Sequence, residues 1–314
     1  GSLVNTIKAI KPEKVFASKM GVKALNAHYD LPMEMTEVND GQTLDLGSRR
    51  ITFMETRMLH WPDSMFSYLN EEKLLFSQDA FGMHAATGER FDDELPWEQL
   101  KRQAESYYAN IITLYSPQVC KLLKKVEASG LTFDIVAPDH GPIWRNMENF
   151  EKLLGLYQKW SNRELEQKVV IVYDTMWKAT EKMARYIEDG ALQGGVKVKS
   201  MCMSSCDRSE VADEMLNAAA VAAGSSTLNN NLLPSMADVL VYLKGLKFKT
   251  PYAAAFGSYG WSGEAIKQVT EYLEAMGAEI LGDVKAQYNP GADIKKACFE
   301  LGQELANRIK TYSL

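Results

Sequence analysis

The sequence predicts an α/β protein in two parts, hairpins giving way to helices over residues 1–162 and then a doubly wound parallel sheet of five strands over 166–314. Three observations carry this. From Lys168 onward, short apolar runs alternate with stretches of helical apolar spacing through five repeats, the pattern of strands joined by crossover helices. Before that, alternating apolar residues come in paired runs separated by turn residues, which reads as hairpins. Between the two styles SNRELEQ (161–167) is polar and without periodicity, as a linker is.

In the first part KVFASK (14–19) is an expected strand, QTLDLGSRRITFMET (42–56) a hairpin, and SMFSYLNEEKLLFSQD (64–79) a second hairpin turning at Asn70-Glu71. Helical spacing follows over Pro96–Tyr115, Pro117–Ser129 and Asn146–Trp160, interrupted by FDIVAPDHG (133–141), a strand ending in a polar turn. In the second part the expected strands are KVVIVY (168–173), VKVKSMC (196–202), AAAVAAGS (218–225), YAAAFGS (252–258) and EILGDVKA (279–286). Expected helices span Thr180–Asp189, Ser209–Leu216, Met236–Leu246, Gly263–Met276 and Ala292–Lys310.

Composition excludes more than it identifies. The 314 residues are 46% hydrophobic and 24% charged, ordinary for two globular domains. A net charge of −6 with no basic cluster argues against a nucleic-acid partner and against an anionic membrane surface. No apolar run approaches the ~18 residues that span a bilayer, and no secretory leader is visible, so a cytoplasmic location is expected. Cys120, Cys202, Cys206 and Cys298 lack paired spacing for a disulfide framework or a tetrahedral metal site, and most read as buried thiols. The chain opens Gly1-Ser2-Leu3 without an initiator methionine, as would a processed fragment, a vector scar or a longer polypeptide begun partway.

In a parallel sheet, ligands bind at the carboxyl ends of the strands, so the loops there carry the chemistry. YDTMWKAT (173–180) places hydroxyls at Thr175 and Thr180 around a turn entering a helix, where backbone N–H groups and the helix dipole suit a phosphate monoester. Neither the Gly-x-x-x-x-Gly-Lys-Ser/Thr loop of nucleotide triphosphatases nor Gly-x-Gly-x-x-Gly is present. GSSTLNNNLLP (224–234) and FGSYGWSG (256–263) supply glycines for close approach, with Tyr259 and Trp261 as flat faces for a ring. Together the loops suit a ligand with a phosphate at one end and a flat ring at the other. In the first part His60 stands in RMLHWPDSM (57–65), where Pro62 stops any helix and holds the imidazole at a strand end.

These motifs, in this order, resemble the flavodiiron proteins, which reduce dioxygen to water or nitric oxide to nitrous oxide. Residues 166–314 resemble a flavodoxin-like domain, and residues 1–162 the C-terminal portion of a metallo-β-lactamase-like αββα domain, through LHWPDS, LFSQDAFG and APDHGPIWR. The resemblance implies FMN held by Thr175, Met176, Trp177, Lys178, Ala179 and Thr180, by Ser225, Ser226, Thr227, Leu228, Asn229 and Asn230, and by Ser258, Tyr259, Gly260, Trp261 and Gly263. It also implies two iron ions bound by His60, Asp79 and His140, with Asp79 bridging, and Tyr108 near them as a hydrogen-bond or proton donor. The family's three further ligands lie in a His-x-Glu-x-Asp-His motif upstream of a helix resembling SLVNTIKAIKPEKVF (2–16), so an upstream segment or a separate N-terminal fragment would complete the site.

Rubredoxin or another small carrier is the implied electron donor, and the implied working unit is a head-to-tail homodimer. Two alternatives stand beside this reading: an FMN electron carrier with an incomplete metal site, and a metallo-hydrolase fused to a flavodoxin domain. Taken alone, His28 and His84 read as packed residues, Asp63 and Asp139 as solvated or capping residues, and Tyr107-Tyr108 as core aromatics.

Overall fold

In the computed structural model, which describes residues 2–312, one compact unit takes the chain up to Tyr108 together with Tyr115–Ser161. It opens with α1 (Leu3–Ile10), which stops where Lys11 turns left-handed (φ 48°) just before Pro12, well short of the helix expected over 2–16. β1 (Val15–Ser18) runs directly into α2 (Lys19–His28), whose first turn is capped by the Ser18 hydroxyl accepting from the Gly21 N–H at 3.1 Å. β2 (Met35–Val38) then pairs parallel with β1.

A five-stranded mixed sheet follows. β3 (Thr43–Asp45), β4 (Arg50–Glu55), β5 (Met65–Leu69) and β6 (Leu74–Gln78) are antiparallel neighbours in sequence order, and β7 (Ile135–Pro138) adds parallel to β6. Period-two burial explains the hairpins, since Phe66 and Tyr68 on β5 and Leu75 and Ser77 on β6 turn inward. The long helix expected from Pro96 to Tyr115 is in fact broken. α3 (Trp97–Tyr107) passes into a π-helical turn (Tyr108–Ile112) and a 3₁₀ turn (Thr113–Tyr115) before α4 (Ser116–Ser129) begins with Pro117 in its first turn. α5 (Met147–Asn162) contributes Phe150, Leu153, Tyr157 and Trp160 to an aromatic core that also takes in Phe81, Tyr108 and Trp144.

The second unit comprises Ala109–Leu114 and the chain from Asn162 onward. Its inclusion of 109–114 is explained by Asn110, which accepts from the Tyr242 hydroxyl at 2.8 Å and donates to the Asp213 carboxylate at 2.8 Å. The remaining elements alternate strictly: β8 (Glu166–Tyr173), α6 (Ala179–Gln193), β9 (Lys197–Cys202), α7 (Arg208–Met215), β10 (Ala218–Gly224), α8 (Pro234–Leu246), β11 (Tyr252–Tyr259), α9 (Glu264–Ala275), β12 (Glu279–Gln287) and α10 (Ala292–Thr311). The sheet order is β12-β11-β10-β8-β9, every pair parallel, which puts a topological switch point beside β8. β10 is wholly buried and built of Ala, Val and Gly, as a central strand covered on both faces must be.

One face of this sheet is covered by α6 and α10 together, with Met183, Ile187, Leu305 and Ile309 in the shared core. The two helices touch through glycines: a Cβ at Gly190 would lie 2.0 Å from the Phe299 carbonyl oxygen, and a Cβ at Gly302 would lie 2.0 Å from that of Ile187. Gly302→Ala therefore forces the helices apart and should destabilise the protein by about 1–3 kcal/mol. Chemical denaturation of the two proteins at equal slope checks this, and an unchanged midpoint would show that the contact can relax.

Candidate functional site

In the first unit the ends of β4, β6 and β7 lead into three turns that bring His60, Asp79 and His140 together. The Asp79 carboxylate stands between two imidazoles, His60 Nε2 lying 3.5 Å from Oδ2 and His140 Nε2 3.4 Å from Oδ1. Each imidazole thus faces a different oxygen of one carboxylate, the arrangement a bridging ligand needs if a metal ion sits on either side. Among the described residues no group of three or more His, Cys, Asp or Glu side chains could hold a metal ion. The donor set fits half of each of two metal positions: one imidazole and one carboxylate oxygen apiece.

The backbone around these ligands is tightly specified. Met58, Gln78 and Phe81 all take positive φ (66°, 51° and 67°), a conformation such side chains adopt only where surrounding contacts enforce it. Those contacts are on hand. The Tyr157 hydroxyl accepts from the Phe81 N–H at 3.1 Å, the Trp144 indole donates to the Phe81 carbonyl at 2.9 Å, and Gln78 accepts from the Met65 N–H at 2.7 Å. The Asp79 and His140 turns also interlock at Gly82, where a Cβ would lie 3.0 Å from the His140 carbonyl oxygen.

The tyrosine expectation needs correcting by one residue. Tyr108 is fully buried, its hydroxyl 3.1 Å from the Ser116 hydroxyl and its ring packed on Tyr157 and Trp160. Its neighbour Tyr107 is the one that faces the site. Tyr107 donates a hydrogen bond to Asp79, and its ring packs edge-on against His84 with centroids 4.8 Å apart. Burial, and then the negative charge of Asp79, push its phenol well above the usual range, so it keeps its O–H to donate to Asp79 at neutral pH. Successive helical residues differ by about 100°, so a one-residue shift changes which phenol points inward. His84 packs edge-on against His140 as well, and Asp139 has its carboxyl pushed up by burial and by Asp79. His28 packs against Tyr29, and Asp63 offers its carbonyl to the Ser18 hydroxyl.

In the second unit a cavity of ≈ 480 Å³ opens at the carboxyl edge of the sheet. Met176, Trp177, Ala179, Ser226, Thr227, Leu228, Asn229, Asn230, Ser258, Tyr259, Gly260 and Trp261 line it, all residues singled out by the loop motifs. Thr180 lies beneath, its hydroxyl 3.0 Å from that of Ser226 and 2.9 Å from that of Ser258, so one buried hydroxyl cluster ties three loops together. Thr175 and Thr227 each carry a buried hydroxyl with no hydrogen-bond partner. Unsatisfied buried hydroxyls are costly, and an anionic oxygen accepting from them would repay that cost. Lys178, at φ 62°, precedes α6.

Two expected residues play supporting parts. Ser225 does not line the cavity: its hydroxyl accepts from the Leu233 N–H at 2.9 Å and closes the loop. Gly263 lies under the Tyr259 ring, where a Cβ would approach to 3.1 Å. Ser262, in the FGSYGWSG loop, completes the lining with Tyr288 and Asn289, which escaped the sequence reading although the rule that ligands sit at strand carboxyl ends applies equally to the turn after β12. The indoles of Trp177 and Trp261 are each 88% exposed, and the lining contains no Lys, Arg, Asp or Glu. A flat, largely apolar ring is the ligand such a mouth accepts. Cys202 and Cys206 lie at the neighbouring strand end, partly exposed rather than buried, the Cys206 thiol donating to the Cys202 carbonyl at 3.2 Å.

Comparison with known proteins finds relatives for both halves of the chain. A flavodoxin family model matches residues 171–302, and an "ODP family beta lactamase" model matches residues 1–141. The rubredoxin-oxygen oxidoreductase of Megalodesulfovibrio gigas is 42% identical over 283 residues, covering 89% of this chain and 70% of that protein. The nitric oxide reductase of Moorella thermoacetica is 40% identical, covering 94% of this chain and 74% of its own length. The solved structure of the Desulfovibrio gigas rubredoxin oxygen:oxidoreductase superposes with a TM-score of 0.95 at 40% identity, covering 99% of this chain and 78% of that one. The Giardia intestinalis flavodiiron protein gives 0.93 at 31% identity, covering 99% and 77%. No helix among the described residues is long and apolar enough to cross a membrane.

The two tyrosines should separate cleanly. In Tyr107→Phe, Asp79 loses its phenol donor, so iron(II) binding to the His60–Asp79–His140 set, followed by calorimetry, should weaken about tenfold. Tyr108→Phe should leave that binding in place and lower stability by about 1 kcal/mol through the broken Ser116 bond. The opposite pattern would restore Tyr108 to the site.

Proposed function

The chain belongs to the flavodiiron proteins, and on that premise we propose that it reduces dioxygen to water, nitric oxide to nitrous oxide, or both, with electrons from an external carrier such as rubredoxin. The observation that carries this reading is the pairing, in one chain, of a flat uncharged cavity bearing orphan hydroxyls with a carboxylate flanked by two imidazoles. When bound, FMN supplies one-electron carriage and two iron ions supply a place where a small oxide can bind and be reduced.

The chain's own residues do the rest. Thr175 and Thr227 would donate their hydroxyls to a flavin phosphate, while the Thr180–Ser226–Ser258 cluster fixes the loops that present them. Trp177, Trp261 and Tyr259 line the mouth and would cover the ring and exclude water. Asp79, His60 and His140 would hold the iron ions, and the Tyr107 hydroxyl donates to the Asp79 carboxylate and so orients it. Among the described residues each metal position has two donors, and the reading takes its remaining ligands from elsewhere.

A head-to-tail homodimer, with each flavin cavity facing the metal ligands of the other copy, is supported by apolar side chains exposed at both places. Trp61, next to His60, is 62% exposed, and Trp177 and Trp261 are more so. A cytoplasmic setting agrees with this chemistry. Residues 1–162 and 166–314 serve as the metal-binding and flavin-binding domains. The relatives give no better support to the hydrolase or simple-carrier alternatives.

Flavin titrations test the cavity directly. Thr175→Val should weaken FMN binding about tenfold or more, as loss of a hydrogen bond to a charged group does, and leave riboflavin binding unchanged. Equal loss for both flavins would remove the phosphate from this loop. The activity is tested by oxygen and nitric oxide uptake from reduced rubredoxin by iron-loaded protein, and the dimer by mass in solution. A fully active monomer would rule the dimer out.

A further inference from the structure

Apart from the two sites above, a small cavity of ≈ 110 Å³ lies between the end of β4 and one face of α4. Leu59 and Leu122, both buried, form its apolar floor. Two of its lining residues carry an orphaned buried polar atom. The Thr56 side chain is 5% exposed and its hydroxyl has no hydrogen-bond partner, and the buried Oε1 of Gln118 has none either. Buried polar atoms of this kind are rare without a bound partner, so two lining one cavity point to an occupant.

The rim states the charge of that occupant. Arg57, Lys121 and Lys125 all border the cavity, and of these only Lys125 is committed, to Asp40 at 2.6 Å and to the Glu55 carbonyl at 3.0 Å. Arg57 and Lys121 make no ion pair with any described residue. Lys121 and Gln118 share a face because residues three and four apart on a helix stack above one another, so α4 presents donor and acceptor together. The Glu55 carboxylate on the same rim opposes a second negative charge and so favours a monoanion over a dianion.

We propose that this cavity binds a small oxyanion that carries one negative charge and at least one O–H, of the hydrogencarbonate or dihydrogen phosphate class. Its unprotonated oxygens accept from the Thr56 hydroxyl and from Arg57 and Lys121, and its O–H donates to Gln118 Oε1, which a fully deprotonated anion leaves unsatisfied. The cavity floor at Leu59 is the residue before His60, so the bound anion also braces the turn that carries a metal ligand. No step of the reaction above depends on it.

Equilibrium dialysis of the full chain against labelled hydrogencarbonate or phosphate, at constant ionic strength in chloride, tests the proposal. Saturable millimolar binding of either anion is expected, weakened about tenfold in Thr56→Val and in Lys121→Gln and unchanged in Lys267→Gln, which lies in the other unit. Binding of hydrogencarbonate alone, or of phosphate alone, identifies which source fills the site. No saturable binding of either, or binding equally strong in both cavity variants, overturns it. Should Thr56→Val misfold, Lys121→Gln at an exposed position decides the question by itself.

Discussion

Five strands that all run the same way must deliver their carboxyl ends, and the loops that follow, to a single edge of the sheet. That constraint organises the second unit. It gathers Trp177, Ser226, Ser258 and Tyr288, drawn from distant parts of the sequence, around one cavity without any of them having to be near another in the chain. Right-handed crossovers need helices on both faces, so the central strands must be apolar throughout, and β10 consists of nothing larger than valine. Small residues there let the hydroxyl cluster of Thr180, Ser226 and Ser258 close beneath the loops.

The first unit reaches the same end with a mixed sheet. Its ligands follow β4, β6 and β7, which run in one direction because β5 reverses between the first two, and within that shared edge their exact placement rests on turn geometry. That is why positive φ values at Met58, Gln78 and Phe81 and the close packing at Gly82 occur there, each backed by a buried hydrogen bond or carbonyl contact. The aromatic core of Phe81, Trp144, Phe150 and Tyr157 serves two purposes, filling the interior and supplying the indole and phenol that hold the Asp79 turn.

Much of this was legible in the residues alone, for reasons that can be stated. Apolar runs of β-branched residues and alanine have one stable use in a chain this size, so β8, β10 and β11 announce themselves, and the loops after them follow by rule. Harder to read was anything decided by a rotation. Tyr107 and Tyr108 are chemically identical neighbours, and only the ending of α3 and the π-helical turn beyond it settle which phenol meets Asp79. β1 was read in KVFASK, but its partner β2 and the intervening α2 were hidden: a four-residue strand with a half-exposed face leaves little periodicity, and the cap at Ser18 outweighs a weak helical pattern.

The glycine contact between α6 and α10 bears on how the second unit assembles. α6 follows the unit's first long strand and α10 is its last element, yet each presses its backbone against the other, and the sheet face they share stays open to water until both are in place. Local helix formation therefore cannot complete this layer. Its closure requires the two ends of the domain to meet across a long loop, which raises the entropic barrier, slows the search and makes the folding step all-or-none for that layer.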